Sequence, residues 1–113
     1  MKADVQYRDE DLIVFRNRLT WLPTMLLVVP VRHMTQSDFW QSDLFARAAN
    51  LASRLGETHC QNGYRILSNF GDDALQTQAH AHLHVIGGAN VGLYADFKGK
   101  DQWVQTFGEQ FGL

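Results

Sequence analysis

Gln76-Thr77-Gln78-Ala79-His80-Ala81-His82-Leu83-His84-Val85-Ile86 holds three of the chain's five histidines at a spacing of two, with Ala81, Leu83 and Val85 between them. Side chains alternate across a strand and wind around a helix, so this spacing predicts a strand with one apolar face and one face of imidazoles. Histidine is an uncommon choice for a solvated strand face, so the row asks for a chemical reason.

Two chemistries want imidazoles in a row. Neutral imidazole is the commonest metal ligand. Four strand rises put His80 and His84 about 13 Å apart, and zinc needs each nitrogen at about 2 Å. A metal would therefore take one neighbouring pair, helped by His33, His59 or Cys60 folding over it. The other chemistry is nucleophilic. An imidazole whose Nδ1–H is held by an acceptor keeps the Nε2 lone pair free to attack, and a neighbouring imidazole can donate a hydrogen bond to an anionic substrate. Phosphorus is a suitable target.

The composition sets bounds. One hundred and thirteen residues, 45% of them hydrophobic and 12% aromatic, suit one globular domain. A net charge of −2 gives no general attraction to nucleic acid, so any phosphate must be caught locally. A single cysteine, Cys60, excludes an internal disulfide. The start shows no apolar run typical of a signal peptide, and the longest apolar run, Met25 to Val29, is too short to span a bilayer. The expectation is a soluble, cytoplasmic protein without membrane or nucleic-acid partners.

Outward from the histidines, Gly63 to Ser68 reads as a strand that Asn69-Phe70-Gly71-Asp72-Asp73 turns into the histidine strand as a long-looped hairpin. Val5 to Arg8 reads as a short edge strand, Leu12 to Phe15 as a second, and Met25 to Val29 as a buried strand closed by Pro30. Leu44, Phe45, Ala48, Leu51, Ala52 and Leu55 recur at helical spacing, which predicts one long helix over Asp43 to Leu55, capped by Ser37 or Ser42 and stopped by Gly56. Ala48, Ala49 and Ala52 leave it a narrow surface that suits packing against a second copy. Trp103, Val104, Phe107 and Phe111 suggest a C-terminal helix, which Gly108 and Gly112 weaken. The fold class is α+β: an antiparallel sheet of about five strands with one long helix in a single domain, 1–113.

His80-Ala81-His82-Leu83-His84-Val85-Ile86, followed by Gly87-Gly88, resembles the histidine-triad (HIT) pattern of the nucleotide-binding, Hint-like branch of that family. Val28-Val29-Pro30-Val31-Arg32-His33 and Gly63-Tyr64-Arg65-Ile66-Leu67-Ser68-Asn69 resemble two further family segments, so the likeness runs from about Val5 to Gly88. It implies hydrolysis or transfer at the α-phosphorus of a nucleotide through a covalent nucleotidyl-histidine, needing no metal or cofactor. A nucleoside phosphoramidase is the preferred activity. A dinucleoside polyphosphate hydrolase is the alternative, and a zinc-binding or non-catalytic nucleotide-binding protein lies behind both.

The resemblance assigns His82 as nucleophile, His84 as the phosphate contact and His80 as the residue whose carbonyl orients the nucleophile. Thr77 takes the place of a serine facing the leaving group. Gln76 and Asn69 are expected to donate to the phosphate, and His33 to stand outside them. Asn17 stands where an aspartate usually meets the ribose of a purine nucleoside phosphate. Ala74-Leu75 replaces a Gly-Gly pair before Gln76, and a Trp-Pro-Pro-Gly ending and paired N-terminal cysteines are absent. The long helix is expected at a homodimer interface. His59 and Cys60 are read as incidental loop residues.

Overall fold

Met25-Leu26-Leu27-Val28-Val29 lies in the middle of the sheet, where an apolar run rich in β-branched residues is best buried. The computed structural model describes residues 4–93 and residue 95. Its strands are β1 (Asp4–Arg8), β2 (Leu12–Arg16), β3 (Thr24–Pro30), β4 (Tyr64–Leu67) and β5 (Leu83–Gly87), in the spatial order β1-β2-β3-β5-β4, and every neighbouring pair is antiparallel. Two helices, α1 (Gln36–Trp40) and α2 (Leu44–His59), lie between β3 and β4, and a single 3₁₀ turn spans Asp72–Ala74. The five strands and the long helix match the expected α+β architecture. The expected C-terminal helix falls outside the described residues. No helix among them is long and apolar enough to cross a membrane.

The register sorts the sheet into two faces. Leu12, Val14, Leu26, Val28, Leu83 and Val85 face α2 and are buried with Ala48, Ala52 and Phe39. The other face carries the row Phe15–Leu27–His84–Leu67, its members direct cross-strand partners and each half-buried. The helix covers one side, and the open side takes the histidine.

Several local expectations need correction. The histidine strand begins only at Leu83, because its ladder to β3 ends at Val28↔Leu83 as β3 runs out at Pro30. Ala81 instead donates its backbone N–H to the Met34 carbonyl at 2.9 Å, so residues beyond β3 hold this segment. Thr35, neither Ser37 nor Ser42, caps α1, its hydroxyl accepting from the Asp38 N–H at 3.1 Å. The Ser42 hydroxyl donates to the Phe39 carbonyl at 2.7 Å, and Asp43 occupies the N-cap of α2.

Gly56 does not stop α2, which continues to His59. A Cβ at Gly56 would lie 2.3 Å from a Tyr64 ring carbon, so this glycine lets the aromatic ring lie on the helix. His59 is accordingly the last helical residue, and Cys60 is its buried C-cap, with a sulfur that leaves no room for a Cβ on Gly87. Ala48 and Ala52 are fully buried against the sheet, so they are not free to meet a second copy.

Candidate active site

Four segments converge around the histidine row. The end of β3 and the start of α1 supply Pro30, Met34 and Gln36. Ser68 and Asn69 follow β4. The segment before β5 supplies His80 and His82, and β5 itself supplies His84.

The His80 ring has one possible tautomer. The Met34 N–H donates to Nδ1 at 3.3 Å, so the ring proton sits on Nε2, which lies 2.7 Å from the Pro30 carbonyl and donates to it. Both nitrogens are used, and His33 stacks on the ring with centroids 4.8 Å apart. The ring thus staples the histidine segment to the end of β3, which is structural work. The His80 backbone carbonyl does something else: it lies 2.9 Å from Nδ1 of His82. A carbonyl can only accept, so His82 carries a proton on Nδ1, and the neutral ring has its lone pair on Nε2.

His82 is only 8% exposed and is held on every side. Its backbone N–H donates to Gln36 Oε1 at 3.1 Å, and its carbonyl accepts from the Ser68 hydroxyl at 3.0 Å. No described side-chain nitrogen or oxygen is both buried and unpartnered. Nε2, which has no protein partner, is therefore not completely buried. The His84 ring meets His82 edge to face, with centroids 4.9 Å apart. Burial first, and the nearby charge that a protonated His82 would carry second, hold His84 down to about 4. His84 is therefore neutral at neutral pH and offers one N–H rather than a cation.

The remaining expected residues lie as follows. Asn69 is half-buried, and its carbonyl accepts from Gln36 Nε2 at 3.2 Å. The Gln76 side chain closes its own loop: Oε1 accepts from the Gly71 N–H at 2.8 Å and Nε2 donates to the Gln78 carbonyl at 2.9 Å. That leaves a single N–H for a ligand. Thr77 is exposed on the same loop. Leu75, at the site of the Gly-Gly departure, adopts φ 58° and ψ 37°, a left-handed conformation that suits glycine. Asn17 lies just past β2, two residues beyond Phe15, and its Oδ1 accepts from the Leu19 N–H at 3.1 Å. His33 stacks on His80.

Gln36, Ser68 and the Pro30 carbonyl gave no sign in the sequence. A glutamine in a polar stretch looks solvated, yet Gln36 is 3% exposed. Its signal would have been its place as the first residue of a Thr-capped helix. Among the described residues no three His, Cys, Asp or Glu side chains are grouped to hold a metal ion.

Residues 1–91 match the HIT domain family. The chain belongs to the HIT family. An uncharacterized 13.2 kDa HIT-like protein of Azospirillum brasilense is 35% identical over 89 residues, covering 74% of this chain and 73% of that protein. A HIT family hydrolase of Legionella pneumophila has a similar structure, with TM-score 0.71 and 27% identity over 83% of this chain and 88% of that one. A zinc-bound histidine triad family protein of Mycobacterium smegmatis shares the HIT fold at TM-score 0.69 and 23% identity, covering 99% of this chain and 88% of that one.

Proposed function

We propose that this HIT protein is a nucleotide hydrolase or transferase in which His82 attacks an α-phosphorus, and that its preferred substrates are nucleoside phosphoramidates. The observation that carries the reading is the His82 tautomer: Nδ1–H on the His80 carbonyl at 2.9 Å, which leaves the lone pair of the neutral ring on Nε2. The likeness to the Legionella pneumophila hydrolase supports the hydrolase or transferase class.

In the first step the Nε2 lone pair forms a bond to phosphorus as the bond from phosphorus to the leaving amine breaks, and the amine takes up a proton from solvent by way of the Thr77 hydroxyl. In the second, water forms a P–O bond and loses its proton, while the P–Nε2 bond breaks and returns the lone pair to His82. Neutral His84 donates its N–H to a phosphate oxygen, and the bound anion would raise its pKa again. Thr77 donates to the leaving group, and Asn69 and the remaining Gln76 N–H to the phosphate. The nucleoside lies along the apolar row beside Phe15 and Leu27, with its ribose towards Asn17.

The Arg65 guanidinium, on the same face as His84, donates to the Gly92 carbonyl at 2.8 Å and the Leu93 carbonyl at 3.4 Å. We also propose a homodimer. Among the described residues β4 pairs only with β5, which leaves its outer edge open to a second copy. Light scattering at micromolar concentration tests the dimer, and a monomer mass would refute it. The activity is tested by comparing an adenosine phosphoramidate with a diadenosine polyphosphate. The phosphoramidate should turn over faster, and His82→Ala should abolish both reactions. Full turnover by His82→Ala would remove the reading.

A further inference from the structure

We infer that Trp40 and Ser68 form a hydrogen-bonded relay that positions His82, one that starts at the partly exposed indole on α1 and ends on the nucleophile's own carbonyl. The inference rests on His82 being the nucleophile.

The direction of the relay follows from chemistry. Trp40 Nε1 lies 3.2 Å from Ser68 Oγ, and an indole N–H can only donate. Ser68 Oγ lies 3.0 Å from the His82 carbonyl, which can only accept. The serine hydroxyl therefore accepts from Trp40 and donates its single O–H to the His82 carbonyl. A chain pointing one way strengthens each of its bonds.

The indole itself is anchored. It stacks on Phe45 of α2 with ring centroids 4.2 Å apart and meets the Phe70 edge at 5.8 Å. Gln36, one turn earlier on α1, holds the His82 N–H. One face of a five-residue helix thus reaches both peptide groups of His82: Gln36 directly and Trp40 through Ser68. With the His80 carbonyl holding the ring, both the start and the direction of the His82 side chain are fixed. Trp40 and Ser68 touch no reacting atom, so both are positioning residues. Part of the indole stays exposed, at 43%, which makes Trp40 an accessible reporter of this link.

The test uses the full chain and four variants: Ser68→Ala, Ser68→Thr, Trp40→Phe, and the Trp40→Phe/Ser68→Ala pair. Trp40→Phe keeps an aromatic ring against Phe45 and removes the donor. Two readouts are taken: kcat and KM for an adenosine phosphoramidate, and the imidazole nitrogen NMR signals of His82. Ser68→Ala should lower kcat about fivefold, the rate equivalent of one neutral hydrogen bond, with little change in KM, and should shift the His82 signals. Ser68→Thr, which keeps the hydroxyl, should restore both. Trp40→Phe should cost less than Ser68→Ala, and nothing further on the Ser68→Ala background. Wild-type kcat and His82 signals in Ser68→Ala would overturn the relay, as would equal losses from Trp40→Phe on the two backgrounds. A wild-type chain that turns over no nucleotide, yet whose His82 signals respond as described, would keep the relay and sink the proposed activity.

Discussion

Replacing Gln36 with leucine should be one of the costliest single changes outside the apolar core. The leucine fills similar space but returns neither hydrogen bond, so the His82 N–H loses its 3.1 Å acceptor and the Asn69 carbonyl its 3.2 Å donor. Each neutral bond contributes about 1 kcal/mol net, and leaving a buried donor unpaired adds about 1–3 kcal/mol. Water can reach the half-buried Asn69 carbonyl, while His82 is buried, so the penalty falls mainly on the N–H. The His82 bond and its unpaired N–H alone give about 2–4 kcal/mol, a large share of the roughly 5–15 kcal/mol that holds a typical domain. Urea unfolding reports the total as a lower midpoint at unchanged slope, and amide exchange reports where it acts, through lost protection of the His82 N–H. Gln36→Glu is the control, because it keeps an acceptor for His82 while setting an oxygen against the Asn69 carbonyl. It should retain His82 protection and still lose stability. A Gln36→Leu protein destabilised by less than about 1 kcal/mol, with normal His82 exchange, would refute the reasoning.

Three further outcomes follow from the same geometry. His84 titrates near 4 in the folded chain against 6.5 ordinarily, so the unfolded chain takes up its proton first. Stability is then full above about pH 6.5 and falls as pH drops towards 4. The gap is worth about 3 kcal/mol before discount, and screening at a half-buried ring leaves about 1–2 kcal/mol. Urea midpoints across that range should fall less in His84→Asn than in wild type, and parallel curves would contradict the burial argument. Gly56→Ala should destabilise by about 1–2 kcal/mol despite better helix propensity, because the new methyl overpacks the Tyr64 ring; a raised melting temperature would be the opposite result. Asn17→Asp should tighten nucleoside monophosphate binding several-fold, since a charged acceptor gains about 1.5–3 kcal/mol gross before phosphate repulsion is subtracted. Unchanged or weaker affinity by calorimetry would count against a ribose at this position.

The sheet was legible because its strands are short apolar runs bounded by turns, and the triad because alternation survives in any extended backbone. The same alternation hid where the strand begins. His80 and His82 look like strand residues, but Pro30 ends the ladder at Leu83 and the chain from Met34 to Gln36 takes over. Gly56 carried the usual signature of a helix end, and only the Tyr64 ring arriving from β4 reveals its other purpose. Ala48 and Ala52 read as small residues free for a partner until the sheet is seen to cover them. Gln36, Ser68 and Trp40 were silent for a similar reason. Each acts through contacts with segments far along the chain, and none belongs to a periodic pattern.

The most direct measurement is the fate of the phosphoryl group at His82. The full chain carrying His84→Ala, which should slow breakdown of the intermediate more than its formation, is mixed with a slow nucleoside phosphoramidate, quenched and mapped by mass spectrometry under conditions that preserve phosphohistidine bonds. The account predicts one nucleotidyl group per chain, on His82, absent when His82→Ala is added. Turnover without any adduct on the peptide, or an adduct mapped to His80, would contradict it.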